Sequence, residues 1–389
     1  MSEEQRNLFR VNQLKKQFLY LNEAPDFYEI TKYHLGLHST DYWTPYLSVF
    51  ARRGDYSPDE IFESLNKGDR LVRINAFRGT NFVIHTDNLA LIHNATAPYL
   101  IKRGYRVPPL RDFTEEEIEE RITSILELVA DGPLALRQLR KLLPQLSQET
   151  SWIVKLAMAK GLLIRASANH AKSNLTSYAL MKTWVPMVGL NKFTSNEAEE
   201  RIIERYIGVF GPVSEADIAW WLPLSKSRVQ HHIKNLESVI SRVDIARKPY
   251  YIAQNDNEAA SSVDTPEKPV VNFLPYEDHF PKAYHDRSWY ILEGDQEKVF
   301  PRSAKSFWPE KPEPTVSTGP NTSGEIRPSI WLNNMIIGRW ELEKTAKRSR
   351  VVLSVFHEHS SDVISQIKEK KRELESFVNE RLMPISQLR

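Results

Sequence analysis

A Gly-Pro element occurs twice in this chain, and the duplication constrains its fold more than any other feature. Gly132-Pro133-Leu134 opens a segment that runs through Leu139 and Leu142 and closes at Pro144. Gly211-Pro212-Val213 opens another that runs through Ile218 and Trp221 and closes at Pro223. Each closing proline lies 12 positions beyond its glycine (144 − 132; 223 − 211), and the copies lie 79 residues apart (211 − 132). Each copy comes after an amphipathic run starting at an Arg-Ile pair, Arg121-Ile122 and Arg201-Ile202. A period of this size, one supersecondary unit long, marks a duplicated module.

The residues beyond each copy define the module. After Pro144, Trp152, Ile153, Leu156 and Ala159 are spaced for one helix face, with Ser147 as N-cap and Gly161 as terminator. Leu162-Leu163-Ile164 and Tyr178-Ala179-Leu180 read as short strands around a polar tip at 170–174. After Pro223 and Ser225, the residues Val229, Ile233, Leu236 and Val239 repeat the helical spacing. Strands at 240–245 and 250–252 flank a tight Arg247-Lys248-Pro249 turn. Helix, short helix, second helix and hairpin make a winged helix-turn-helix, whose second helix enters the DNA major groove and whose wing touches phosphates. The predicted class is α+β, mainly α: tandem winged helix-turn-helix domains with a small C-terminal β-containing region. Two plain helical bundles with hairpins would show the same pattern, and winged helices also serve as protein-protein modules.

The second copy's groove-facing helix carries Lys226, Arg228, His231, His232 and Lys234, and its wing carries Arg247 and Lys248. Such a basic face suits counterion release from phosphates. The first copy is poorer, with Lys155 and Lys160 preceded by Arg137, Arg140 and Lys141. The formal net charge is only +2, so a DNA surface must arise by local segregation of charge.

The chain has 389 residues and no cysteine, which excludes disulfides, Cys-ligated zinc and a thiol nucleophile. The start MSEEQRNLFR has no apolar signal region, and no apolar run approaches the ~20 residues needed to span a bilayer. A cytoplasmic protein without membrane contact is expected. Composition shifts divide the chain into an N-terminal winged-helix-like unit (1–110), two winged helices (111–192 and 193–254), a linker or surface loop (255–269), and a C-terminal region (270–389). The last region contains a buried strand at 270–275, a loop rich in Pro, Ser and Thr at 301–323, a hairpin turning at Asn333-Asn334, and an amphipathic terminal helix at 360–382.

Two segments of the N-terminal unit stand out. One is Leu35-Gly36-Leu37-His38-Ser39-Thr40-Asp41, continued by Pro45-Tyr46-Leu47 and Ala51-Arg52. The other is Arg78-Gly79-Thr80, which interrupts a strand-like run and reads as a bulge or a close backbone approach. With these in place the chain resembles the AlkZ/YcaQ DNA glycosylases over roughly residues 25–342. The resemblance rests on the order of Gly36-Leu37, Pro45-Tyr46-Leu47, Ala51-Arg52 and Arg78-Gly79-Thr80, then Arg205-Tyr206 with Phe210-Gly211-Pro212. Ala216-Asp217-Ile218-Ala219-Trp220-Trp221, Leu274-Pro275-Tyr276-Glu277-Asp278 and Ile336-Ile337-Gly338-Arg339-Trp340 complete it.

The resemblance implies tandem winged helices and hydrolysis of the N-glycosidic bond of a damaged base, including bulky alkyl adducts and interstrand crosslinks. It implies no cofactor and no metal. After Gly-Leu the family carries Gln-x-Gln or Gln-x-Asp to position the hydrolytic water. Here those positions hold His38 and Thr40, with Asp41 next, and Asn81 and Phe82 stand where the family's histidine after Arg-Gly-Thr would be. Glycosidic cleavage passes through an oxocarbenium-like sugar, and a neutral base leaves less readily than a cationic alkylpurine. An imidazole can take a proton from water near neutral pH. His38 is therefore assigned to the water, Thr40 to hydrogen-bonding that water or the DNA backbone, and Asp41 to negative charge. The change points to a bulky modified base, alkylated, crosslinked or hypermodified, including phage-type pyrimidines and hence defence against phage. Arg78 and Thr80 are assigned to phosphate or a flanking nucleotide. Asp41 as a helix cap and Arg78 as an interface ion pair are the structural alternatives.

The expected partner is double-stranded DNA containing a modified base, bound by a monomer. His357 and His359 offer a weak metal pair, Lys32 and Lys67 lie near the motifs without marking a Schiff-base lysine, and Glu277 and Asp278, which could bind a cation or frame the site, are read as structural. A winged-helix transcription regulator or a non-catalytic DNA-binding scaffold would share the modules without the chemistry.

Overall fold

The computed structural model describes residues 3–20, 24–146, 148–168, 176–245, 247–256, 268–300, 325–344 and 348–383. The expected cap Ser147, the hairpin tip at 170–174, most of the 255–269 linker and the whole 301–323 loop lie outside these residues.

The N-terminal unit comprises α1 (Glu3–Lys16), α2 (Phe27–Tyr33), β1 (Leu37–His38), α3 (Thr44–Arg53), α4 (Pro58–Lys67), β2 (Leu71–Asn75), β3 (Asn81–His85) and α5 (Leu89–Tyr105). The first repeat comes next as α6 (Glu115–Leu128), β4 (Leu134–Ala135), α7 (Leu136–Leu142), α8 (Thr150–Ala159), β5 (Leu163–Ala168), β6 (Thr176–Leu180) and α9 (Met181–Trp184). The second is α10 (Ser195–Phe210), α11 (Glu215–Trp221), α12 (Lys226–Asn235), β7 (Ile240–Ile245) and β8 (Lys248–Ala253). Both are winged helix-turn-helix units, and the chain is mainly helical, as the periodicity predicts.

The long helix of each repeat begins before its Arg-Ile pair. Thr114 Oγ1 accepts from Glu117 N–H at 3.2 Å while Glu117 Oε2 accepts from Thr114 N–H at 2.7 Å. Thr194 and Glu197 make the same reciprocal pair at 3.2 and 2.8 Å. Two capping boxes at matching positions satisfy the orphan amides of α6 and α10 and set where each repeat starts.

The first repeat does not stand apart from the N-terminal unit. One six-stranded sheet runs β1-β3-β2-β5-β6-β4. Arg73 of β2 pairs with Arg165 of β5, so the sheet crosses the expected boundary near residue 110. A single row crosses all six strands: Leu37, Val83, Arg73, Arg165, Tyr178 and Leu134. Arg78-Gly79-Thr80 is not a bulge inside a strand. It is the tip of the β2–β3 hairpin, a 3-10 turn with Arg78 and Gly79 at φ 57° and 75°. Glycine and a short turn let the two halves of the strand-like run pair with each other, which a sequence read as one strand cannot show.

That tip docks on the second repeat. Trp221 of α11 is buried, with its ring 3.7 Å from Phe77 and 4.6 Å from Tyr206, both near parallel. Trp220 beside it is half-buried. The C-terminal region forms an antiparallel sheet from β9 (Val271–Leu274), β10 (Ser329–Leu332), β11 (Met335–Lys344) and β12 (Ser349–Val355) in the order β12-β11-β10-β9. Asn333 and Asn334 take φ 48° and 67° at the β10–β11 turn, as two consecutive left-handed residues require in a tight hairpin. The terminal helix Ser361–Ser376 buries Val363, Ile367 and Leu374 against this sheet and continues through a π turn, Phe377–Leu382.

Most buried apolar side chains fall into three clusters. One joins the N-terminal hairpin, the second repeat and the segment at 280–300. A second joins α2 and α3 to the C-terminal sheet and helix, and the third fills the first repeat. The N-terminal unit thus packs on every other part of the described chain. Among the described residues no helix is long and apolar enough to cross a membrane.

Candidate active site and nucleic-acid face

The position of His38 is set by the glycine before it. Gly36 has φ 112°, and a Cβ there would lie 2.7 Å from Ile84 Cγ2 and 2.9 Å from the Val83 carbonyl oxygen. Only a residue without Cβ lets the chain run this close to β3. Leu37 and His38 then pair with Val83 and Phe82, and the imidazole packs edge-on to the Phe82 ring at 5.2 Å. After Ser39 the chain leaves the sheet. Asp41 Oδ1 accepts from Trp43 N–H at 2.9 Å, an Asx turn that leads into α3.

Helix α3 carries Thr44, Ser48 and Arg52 at i, i+4 and i+8, one face of the helix. That face grips the turn after β9. Thr44 Oγ1 donates to the Tyr276 carbonyl at 2.7 Å, and Ser48 Oγ donates to Asp278 Oδ2 at 2.7 Å. Arg52 bonds both oxygens of Asp278, at 2.9 and 3.0 Å, with both side chains fully buried. Asp278 also accepts from Phe280 N–H at 3.0 Å, which starts the helical turn His279–Lys282. The whole arrangement holds Glu277, whose φ is 57°. Its N–H donates to the Ile326 carbonyl at 3.1 Å, and its Oε1 accepts from Ile326 N–H at 2.8 Å. A non-glycine residue kept left-handed by such bonds is a place where backbone strain serves a site.

Glu277 Oε2 lies 3.7 Å from His38 Nε2 and accepts a hydrogen bond from Lys282 Nζ. Thr40 Oγ1 lies 3.3 Å from the same His38 nitrogen. His38 is completely buried, Glu277 is nearly so, and Thr40 is exposed, so the hydroxyl stands between solvent and ring. Burial drives the His38 pKa down to about 3; the Glu277 charge opposes this, while Lys282 and Arg78 reinforce it. Burial would raise Glu277, but the Lys282 charge and hydrogen bond and the Ile326 amide hold it below the usual carboxylate range. The pair is therefore a neutral imidazole against an ionised carboxylate. Glu325, also buried, accepts from the Tyr276 hydroxyl at 2.6 Å and is raised by burial and by the Glu277 charge.

The sequence points to Asp41 for the negative charge and to Glu277 as a structural residue. The geometry instead brings Glu277, not Asp41, to the imidazole; Asp41 is taken up by the Trp43 amide. The acidic run after the 270–275 strand is plain in the sequence, but its distance from His38 along the chain hides the contact.

Arg78 points from the hairpin tip toward the second repeat, its guanidinium 3.3 Å from the Trp220 ring centroid. Glu277 acts on its charge from the other side. Arg287 faces the same Trp220 ring at 6.0 Å and also feels Glu277 and Arg78. Thr80 Oγ1 donates to the Phe77 carbonyl at 3.0 Å and closes the turn. Arg287 also lines a cleft of about 940 Å³ with Lys226 and Gln230 of α12, Lys248 and Tyr250 of the wing, and His285. Arg287, which lines the cleft and feels the Glu277 charge, is the link between the cleft and the inner cluster.

Of the basic residues assigned to DNA, Lys226, His231, Lys234, Arg247 and Lys248 are exposed. Arg228 is half-exposed and paired with Glu199. His232 is a correction: it is fully buried, with Nε2 3.0 Å from Glu199 Oε2, and faces the core between α10 and α12. Its place three residues after buried Val229 puts it on the inner face, a signal that a count of basic residues hides. His357 Nε2 lies 2.6 Å from Asp295, and among the described residues no group of three or more His, Asp or Glu side chains is placed to hold a metal. Lys32 pairs with Asp87 and Lys67 with Glu63, both on the surface.

The family model described as DNA glycosylase AlkZ-like matches residues 33–377. Among solved structures the chain is similar to Streptomyces sahachiroi DNA glycosylase AlkZ, with a TM-score of 0.75 and 14% identity. That match covers 100% of this chain and 98% of the other. No curated protein sequence matches the chain.

Proposed function

The chain belongs to the AlkZ-like DNA glycosylase family, and from that premise we propose that it hydrolyses the N-glycosidic bond of a bulky modified base in duplex DNA and leaves an abasic site. The observation that carries this reading is the stack of an exposed Thr40 hydroxyl, a buried neutral His38 and an ionised Glu277, whose charge also acts on Arg78 and on Arg287 of the cleft.

In this reading Thr40 holds the incoming water at the solvent side. His38, neutral at physiological pH, accepts a hydrogen bond from that water and aligns it with the sugar. With a pKa of about 3 it orients the water more than it takes up its proton. Glu277 takes the anionic role and stabilises the oxocarbenium-like sugar as the base departs. The target nucleotide must leave the stack to reach these groups, and Arg78 with Trp220 forms the surface it would meet. Lys226, Lys248 and Arg287 would hold the backbone in the cleft. Replacement of the family's amide pair by His38 and Thr40 favours a base that leaves less readily than a cationic alkylpurine, a hypermodified phage-type pyrimidine among them. Water is the only co-substrate, so the reaction calls for no cofactor. The setting we assign is the cytoplasm.

The test is to incubate the protein with duplexes that carry either an N-alkylpurine or a bulky modified pyrimidine, then treat with alkali. Strand breaks at the modified position are expected. Duplex retardation with no abasic product from any substrate would leave a DNA-binding scaffold and overturn the enzymatic reading.

A further inference from the structure

The six-stranded sheet carries a second feature on the face opposite His38. Side chains alternate along a strand, so Leu37 and His38 point to opposite faces, and the row through Leu37 and Val83 continues into Arg73 and Arg165. Two arginines thus stand directly opposite each other on neighbouring strands, an arrangement that like charges disfavour. Arg73 is 8% exposed, and its Nε and Nη2 have no hydrogen-bond partner. Its guanidinium packs 4.7 Å from the Tyr42 ring centroid. Arg165 Nη1 donates to the Tyr178 hydroxyl at 3.2 Å.

The positive charge continues outward. Asn75, two residues along the same face of β2, lines a small cleft of about 160 Å³ with Gly79, Arg103, Trp152 and Lys155. Lys155 lies 4.2 Å from the Trp152 ring centroid, and its pKa is lowered first by partial desolvation and then by the charges of Arg165 and Arg103. Arg103 Nη1 donates to the Arg78 carbonyl at 3.2 Å, so the cleft sits directly behind the hairpin tip. Among the described residues none of Arg73, Arg103 and Lys155 forms an ion pair, although the chain as a whole is almost balanced in charge. The buried Arg73 guanidinium, with two nitrogens that have no hydrogen-bond partner, is a place that an anion from outside can satisfy.

We infer that Arg73, Arg165, Lys155 and Arg103 form a phosphate site at the junction of the N-terminal sheet and the first repeat, filled by a backbone phosphodiester of the bound duplex. Trp152 and Leu156 supply the apolar floor of the cleft, and Asn75 an amide. The site gives the first repeat, whose second helix α8 has fewer basic residues than α12, a DNA contact made by its wing and by α8. It rests on the glycosylase reading for the identity of the duplex, and the hairpin braced by Arg103 links it to the Arg78 tip. A free phosphate would satisfy the same chemistry, so the test separates the two sources.

Duplex affinity is measured by fluorescence anisotropy across a salt series for the full chain, Arg73→Gln and Lys155→Ala. Removal of one phosphate interaction should reduce the slope of log affinity against log salt by roughly 0.9. Lys155 is exposed, so its variant remains informative if Arg73→Gln folds poorly. Unchanged slopes in Lys155→Ala and in folded Arg73→Gln, with wild-type binding intact, overturn the site alone. Thermal stabilisation by inorganic phosphate that Lys155→Ala abolishes, without any change in duplex slope, overturns the DNA assignment in favour of a free anion. Failure of the wild-type protein to bind duplex at low salt would instead remove the glycosylase reading.

Discussion

Glu277 Oε2 sits 3.7 Å from His38 Nε2, although His38 ends the first strand of the N-terminal unit and Glu277 lies just beyond β9, in the C-terminal region. The contact exists because α3 presents Thr44, Ser48 and Arg52 to the turn that contains Tyr276 and Asp278. The same helix begins shortly after Thr40 exits toward solvent. One helix therefore positions both halves of the cluster.

His38→Ala should lower single-turnover base release by about 10²–10⁴-fold, the range for a positioned acid-base or water-orienting group, whereas His38→Gln, which restores a water-holding amide at this position, should lose less. Duplex affinity should change little, because the ring is completely buried and the exposed basic side chains of α12 and the wing are untouched. Abasic-site formation and alkali cleavage read the first quantity, and anisotropy reads the second. Full activity in His38→Ala would remove His38 from the chemistry.

Glu277→Gln should abolish base release and also destabilise the fold, since it leaves Lys282 buried without its carboxylate. Breaking a buried pair by removing one partner costs about 3–5 kcal/mol. Glu277→Gln combined with Lys282→Met should recover most of that stability in denaturant titrations while base release stays absent. Recovery of activity together with stability would make Glu277 structural only.

Asp278→Asn should behave differently from Glu277→Gln. It breaks the bidentate pairing with fully buried Arg52 and costs about 3–5 kcal/mol. The loss should appear in the denaturation midpoint. Any fall in base release should reverse at low temperature, where the folded fraction is restored.

Acid should destabilise the protein earlier than its carboxylates alone would. Burial holds His34, His38 and His279 below the usual histidine range, His38 at about 3. Their folded pKa values lie below the unfolded value near 6.5, so the unfolded chain takes up protons that the folded chain refuses. The stability they permit is complete above about pH 6.5 and declines as pH falls from there toward about 3. Each such histidine adds up to about 1.4 kcal/mol per pH unit to the slope. Equilibrium unfolding between about pH 7 and 4.5, inside that window, should show the decline, and His38→Gln should make it shallower by about one proton. A flat profile over that range would contradict the buried neutral assignment.

The sequence alone carried the local design. Periodicity and punctuation located the two winged modules, the buried strand β9, the Asn333-Asn334 hairpin and the terminal helix, because turns, caps and amphipathic faces are written within a few residues of where they act. It also marked His38 and Thr40 through their place after Gly36-Leu37. The pairing of those residues with Glu277, the burial of His232, the placing of Arg78 on Trp220 and the opposed Arg73 and Arg165 came from packing between distant segments. Each depends on which face of a helix or strand docks on which, and that choice is the net result of many small apolar contacts spread over the whole chain, with no single stretch encoding it.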